Sequence, residues 1–209
     1  ADRKPILTPE MERWGAENGC VMEDAGTGHP RVSMPEEIQE VIKRIIANPI
    51  DYIPAKGSVR AREVIAKFAN DMVNMPGYFT AEDVVTTANG TNAFTMMYQT
   101  ALDEGDNAEF LPPFYSAYIN PILALGAGIV SVNVKAENRF FASGTDIINR
   151  WGQNRETVKV LAVNAGNPLS LKYTDKTAKE HADAANHIDK ESGGRVTLLI
   201  DAAYHRISL

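Results

Sequence analysis

Between residues 83 and 201 short β-favouring runs and helix-spaced runs take turns, and this alternation constrains the fold more than any other feature of the chain. The runs DVVTT (83–87), AEFL (108–111), IVSVNV (129–134), VKVLAV (158–163) and VTLLID (196–201) are strand-length, mostly apolar and rich in β-branched residues. Between them lie TNAFTMMYQTAL (91–102), SAYINPILAL (116–125), GTDIINRWG (144–152) and DKTAKEHADAANHIDKE (175–191), which read as helices. Strands buried on both faces and joined through helices build a mainly parallel sheet covered on both sides. The expected fold class is α/β, a three-layer α/β/α arrangement.

Residues ahead of this region read differently. PEMERWGAE (9–17) is a short helix in an arm carrying Pro5, Pro9, Gly26, Gly28 and Pro30. Behind Pro35, the residues Ile38, Val41, Ile42, Ile45 and Ile46 fall at helical spacing until Asn48-Pro49 stops them. A further helix is predicted in SVRAREVIAKFANDMVN (58–74), with Val64, Ile65, Phe68 and Met72 on one face. Met72, Met75, Met96 and Met97 read as core filler. The expected division is an arm with a small-domain helix over 1–48 and a large domain over 49–209.

A formal charge of -6 with no basic stripe argues against nucleic acid or an anionic membrane as partner. No apolar run approaches membrane-spanning length, nothing resembles a signal peptide, and the single Cys20 excludes an internal disulfide and a cysteine-built metal site. These features suit a cytoplasmic protein acting on small molecules. His181 and His187, six apart on a polar helix, do not share a face for a metal and are expected to be solvated.

Ligands of such sheets bind beyond the carboxyl ends of the strands, and the chemically suggestive residues gather there. TTANGTNAF puts Asn89, Gly90 and Thr91 at a strand-to-helix turn, where free amides and the helix dipole suit an anion; a purely steric glycine is the plain alternative. Tyr115 and Tyr118 follow the AEFL strand, placed to stack on a flat ligand or to pack on their own helix. VKVLAV runs into Asn164, then Gly166-Asn167-Pro168, where the Asn167 amide can donate to a ligand or simply form a turn. The last strand ends in Asp201, costly unless it meets a cation or donors, or unless it is a turn or cap residue.

Taken in order, DYIPAKG with its following Arg, NGTNAF, GD…PFYSAY, NAGNPLS and DAAY resemble the class I/II aminotransferases, pyridoxal-phosphate enzymes of fold type I. The resemblance runs from about Gly28 to Tyr204 and includes the five-residue steps Tyr52, Gly57, Arg62. It implies a pyridoxal 5'-phosphate site in which Asp201 pairs with the ring nitrogen, and Asn167 and Tyr204 donate to the ring oxygen. Tyr115 would stack on the ring, and Asn89, Gly90 and Thr91 would cradle the phosphate. Tyr52 would reach the phosphate of a neighbouring subunit, making a homodimer with composite sites, and Gly28 would lie along the substrate carboxylate. The substrates implied are an amino acid and a 2-oxo acid.

No lysine of the chain sits where the family's cofactor-linking lysine belongs, so the catalytic lysine is unassigned and the chain is expected to be the N-terminal part of a longer enzyme, its large domain incomplete. Leucine after the proline in NPLS also occurs in aminocyclopropane-carboxylate synthases, which leaves lyase, decarboxylase or cyclase chemistry open. A non-catalytic binding module is the reading if the chain truly ends at Leu209. His205 and Arg206 follow Tyr204 closely enough to line the site, and Glu23 and Asp24 either touch substrate or face water.

Overall fold

The computed structural model describes residues 9–20, 33–49, 52–164 and 174–203, and the chain divides into two compact units, Ala1–Ile53 and Pro54–Leu209. The first unit holds helices α1 (Pro9–Glu17) and α2 (Glu36–Ile46). Glu36 and Glu37 in the first turn of α2, with Lys43 and Arg44 in the last, complement the helix dipole. Its apolar stripe, Ile38, Val41, Ile42 and Ile45, is nonetheless exposed. An amphipathic stripe is buried only when an apolar partner covers it.

The second unit opens with α3 (Val59–Val73), capped by Ser58 Oγ accepting from the Ala61 amide at 3.2 Å. Here the structure corrects the expected inward face. Val64, Ile65 and Phe68 are exposed, and the buried residues are Arg62, Ala66 and Asn70. These three recur at i, i+4 and i+8 and serve the chain that follows. Asn70 Nδ2 donates to the Phe79 carbonyl at 2.8 Å and its Oδ1 accepts from the Phe79 amide at 2.7 Å. Arg62 donates to the Ala81 carbonyl and, at 3.2 Å, to Glu82 Oε1. A covered loop needs partners for its backbone, and polar side chains supply them.

A second correction concerns residues 83–87, expected as a strand. Val84 is extended, but the segment joins no ladder among the described residues. Instead the Thr86 amide and hydroxyl both donate to the Lys56 carbonyl, at 3.0 and 3.3 Å. This brings Thr86 against Gly57, whose φ is +98° and whose added Cβ would lie 2.0 Å from Thr86 Oγ1. Gly57→Ala is therefore expected to destabilise this unit by about 2 kcal/mol or more, through the clash and the left-handed backbone together. Urea unfolding of the variant beside the unaltered protein measures the loss.

Four strands form one sheet: β1 (Asn107–Phe110), β2 (Gly128–Ser131), β3 (Val158–Asn164) and β4 (Thr197–Asp201), ordered β2-β1-β3-β4 with every pairing parallel. The expected IVSVNV strand stops its ladder at Ser131. Helices α4 (Gly90–Ala101) and α5 (Ile119–Ala124) cover one face, burying Tyr98, Tyr118 and Ile122 against Phe110, Val160 and Leu199. Helices α6 (Gly144–Gly152) and α7 (Asp175–Ser192) cover the other, burying Ile147, Trp151 and Ile188 against Val130, Leu161 and Val163. The architecture is thus the expected three-layer α/β/α with a parallel sheet.

His181 is the third correction. It is buried, with Nε2 2.8 Å from the Ala142 carbonyl, and burial pushes its imidazole below the usual histidine range. The α6–α7 contact is close: a Cβ on Gly144 would lie 2.8 Å from the Glu180 carbonyl, which encloses the histidine one residue on. The methionines also depart from expectation, since Met75, Met96 and Met97 are exposed. Met96 and Met97 on α4 belong to neither apolar cluster of the sheet, and Met75 follows the end of α3. Among the described residues no helix is long and apolar enough to cross a membrane, and no group of His, Cys, Asp or Glu is arranged for a metal ion.

Candidate active site

Parallel connections place the chemistry. The link between α4 and β1 is only residues 102–106, so α4 runs back against the sheet and its N-terminus lies toward the carboxyl ends of the strands. Asn89 caps this helix, its Oδ1 accepting from the Asn92 amide at 2.8 Å. The Gly90 and Thr91 amides, the first two of the helix, therefore have no intrahelical acceptor. A Cβ on Gly90 would meet only Phe94 Cε2, at 3.9 Å. Among the described residues nothing else lies within 4 Å of that position, so no close contact there demands glycine.

One turn on, the Phe94 ring sits edge-on to Tyr118, centroids 4.6 Å apart. Tyr118 is fully buried and lies nearly parallel to Phe110 at 5.6 Å. Its hydroxyl donates to Asp201 Oδ2 at the tip of β4. Asn164, the last residue of β3 and the register partner of Asp201, donates from Nδ2 to the Tyr118 hydroxyl oxygen at 3.4 Å. This order of donors fixes the proton of Tyr118 toward the carboxylate. The other carboxylate oxygen, Oδ1, accepts from the Ala203 amide at 2.9 Å. Asp201 therefore satisfies both expectations at once: one oxygen closes a turn, the other meets a buried donor.

Tyr115 stands beside this group. It is half-exposed, and its ring lies edge-on to Tyr118 at 5.6 Å. The Tyr118 hydroxyl is pushed well above the ordinary phenol range by burial first and by its bond to Asp201 second. Tyr98 is displaced in the same direction by burial and then by the Asp201 charge.

Of the residues singled out in the sequence, the structure brings Tyr115 and Asp201 against Tyr118, and Phe94, one turn on from the Asn89–Thr91 helix start, touches the same ring. Tyr52 belongs to the first unit and its side chain is fully exposed. Gly28, Asn167, Tyr204, the NPLS segment, His205 and Arg206, and Glu23 and Asp24, lie outside the described residues. Sequence reasoning had offered Tyr118 only as a stacking or packing ring, not as a donor to Asp201, and had assigned no role to Asn164 or Tyr98. The available signals were the polar ends of VKVLAV-N and TLLI-D and a tyrosine amid the apolar positions of α4.

A parallel sheet covered on both faces, with a hydrogen-bonded acid at one strand tip and a half-exposed aromatic ring close by, is the kind of arrangement at whose carboxyl edge α/β proteins take small ligands. The chain belongs to the aminotransferase class I and II family, whose sequence profile matches residues 24–207. It is 23% identical over 189 residues to the aspartate aminotransferase of Pyrococcus horikoshii, a match covering 88% of this chain and 47% of that protein. It is 27% identical over 161 residues to the probable aspartate/prephenate aminotransferase of Aquifex aeolicus, covering 76% and 39%.

The solved aspartate aminotransferase of Thermus thermophilus with maleate superposes with a TM-score of 0.72 at 25% identity, covering 83% of this chain and 43% of that one. An aminotransferase structure from Eubacterium rectale, at 19% identity and a TM-score of 0.77 over 93% of this chain and 51% of that one, shares the fold. The chain spans about two fifths to one half of the length of these relatives.

Proposed function

We propose that this chain forms most of the cofactor-binding large domain of a pyridoxal-phosphate-dependent aminotransferase, which moves an amino group between an amino acid and a 2-oxo acid. The observation that carries the reading is Asp201: a carboxylate at a strand tip, held from both sides by Tyr118 and the Ala203 amide, beside the half-exposed Tyr115 ring.

The residues present fit the cofactor. Asn164 Oδ1 and the Tyr98 hydroxyl are buried and have no partner among the described residues, as in a polar site built for a further group. Gly90 leaves room at a helix start with two free amides, which suits a phosphate. Asn89, Gly90 and Thr91 would hold that phosphate, Tyr115 would cover the ring, and Asp201 would face the ring nitrogen. Asn167 and Tyr204 are the proposed donors to the ring oxygen, Gly28 the segment along the substrate carboxylate, and Tyr52 the contact with a second subunit's phosphate. Cytoplasmic location and a homodimer with composite sites belong to the same reading, as does a boundary near residue 49 between a small-domain helix and the large domain.

Pyridoxal phosphate supplies an electron sink for the pair left when the substrate Cα–H bond breaks. The rest is the work of this chain's side chains. The Asp201 carboxylate stabilises a proton on the ring nitrogen, because an opposite charge at close range favours the cationic form. Tyr118 and Asn164 keep the carboxylate from rotating, so its charge is already oriented before substrate arrives. The phenol Tyr115 restricts the ring plane and excludes water from one face.

The test uses protein expressed from the intact gene. It should take up pyridoxal phosphate with a new visible absorbance band and, with a panel of amino acids and acceptor 2-oxo acids, release the 2-oxo acid matching each amino donor used. Cofactor uptake with ammonia or a cyclic product and no matching 2-oxo acid would replace transamination by elimination or cyclisation; no uptake at all would remove the reading.

A further inference from the structure

Tyr98 sits in the middle of α4, is fully buried, and has a hydroxyl without a partner among the described residues. A tyrosine at a wholly apolar position leaves a polar group stranded at a cost in stability, so phenylalanine would suffice if packing were its whole task. Its position relates it to the acid. Leu199 of β4 and Val160 and Ala162 of β3 lie in the same apolar cluster as Tyr98 and Tyr118. Side chains alternate along a strand, so Asp201, two after Leu199, and Asn164, two after Ala162, face that same α4 layer. Side chains on a helix lean toward its N-terminus, and the N-terminus of α4 lies at the carboxyl edge of the sheet. The Tyr98 hydroxyl is thus directed toward the level of Asn164 and Asp201. Phe94, one turn earlier on the same face, already touches Tyr118.

We propose that Tyr98 is a positioning residue for Asp201, its hydroxyl donating to the free Oδ1 of Asn164 when the cofactor is bound and so completing a chain from Tyr98 through Asn164 and Tyr118 to the carboxylate. The chain is consistent in its donors and acceptors. Asn164 has one amide oxygen to accept and an NH₂ that already serves Tyr118, and Tyr118 in turn serves Asp201. Each donor polarises the next, so the outermost hydroxyl adjusts how strongly Asp201 holds a cation without touching substrate. The proposal rests on Asp201 facing the cofactor.

The experiment compares Tyr98→Phe with the unaltered holoenzyme, expressed from the intact gene, by following the pH titration of the bound cofactor's visible band. With the outer donor gone, the carboxylate holds the ring proton more tightly and leaves the cofactor more electron-poor. The proton whose loss changes the band should then leave at a pH lower by about half a unit, the scale of one net hydrogen bond. Tyr98→Phe combined with Tyr118→Phe should shift less than the two single changes added, and Tyr98→Met should behave as Tyr98→Phe, covering a failure of either variant to fold. An unmoved midpoint in folded, cofactor-loaded Tyr98→Phe, or strict additivity, overturns the proposal and leaves the functional reading standing. An unaltered protein that takes up no pyridoxal phosphate overturns both.

Discussion

On the proposed function, Asp201→Asn in the protein expressed from the intact gene is expected to leave the fold in place while lowering transamination by about a hundred- to a few thousand-fold. The substitution keeps one oxygen, which can accept from the Ala203 amide as Oδ1 does, and turns an NH₂ toward Tyr118, whose hydroxyl oxygen can accept where its O–H had donated, so the local frame survives with one bond reversed. What it removes is the negative charge, and loss of one partner from a desolvated pair costs about 3–5 kcal/mol, each 1.36 kcal/mol being tenfold in rate. Steady-state kinetics of the loaded protein measure it, with circular dichroism to establish folding. Weaker retention of pyridoxal phosphate should accompany the loss. A variant with turnover within threefold of the unaltered protein would show that Asp201 is only a turn residue.

The largest effect on stability is expected at Glu109, on the opposite side of the sheet. Glu109 is fully buried in β1 and neither carboxylate oxygen has a hydrogen-bond partner among the described residues. Its strand neighbours Ala108 and Phe110 face the α4–α5 layer, so Glu109 faces the α6–α7 layer beside its register partners Val130 and Leu161. Burial pushes its carboxyl from 4.5 up to about 8, and the charge of Arg150 on α6 opposes this only in part. The folded protein therefore keeps a proton that the unfolded chain has already lost.

Linkage then sets the sign: between about pH 4.5 and 8 the folded state binds more protons, so this group's contribution to stability falls as pH rises, by roughly 3–5 kcal/mol across the window. His181, in the same layer, acts the other way. Its lowered pKa costs stability as pH falls below the histidine range. Glu109→Leu, close in volume and without an ionisable group, is expected to raise stability by about 2 kcal/mol or more at pH 8 and by less at pH 5. Glu109→Gln should flatten the pH dependence. Urea unfolding at several pH values measures both, and a pH dependence left unchanged by Glu109→Gln would refute the assignment.

Glu109 also illustrates what a linear reading misses. AEFL is read as a buried strand from its neighbours, and the acid within it passes unremarked because strand type depends on the majority of positions. The failed strand at 83–87 has the converse origin. Asp83 closes a short 3-10 turn and Val84 is extended, yet a strand exists only with a partner, and the amide of Thr86 finds Lys56 instead. On α3 the periodicity is real but the apolar stripe is not the buried one. Arg62 and Asn70 are drawn inward because a backbone loop has to be satisfied, a demand made by residues 79–82 and not by the helix.

The helices over 9–17, 36–46, 59–73, 144–152 and 175–192 and the strands over 107–110, 158–164 and 197–201 follow local rules, namely spacing, caps and stops, and so could be read directly. The parallel sheet followed from the same alternation, since strands joined through helices have few other arrangements. The sequence by itself also pointed to one edge of the sheet, because carboxyl ends of parallel strands share that edge whatever their order. Only the tertiary structure decided the strand order β2-β1-β3-β4 and hence that Asn164 and Asp201 are register neighbours. It alone decided that Tyr118, 83 residues from Asp201 along the chain, is the donor to its carboxylate. Contacts between residues so far apart depend on how whole layers pack, and no window of neighbouring residues encodes that packing.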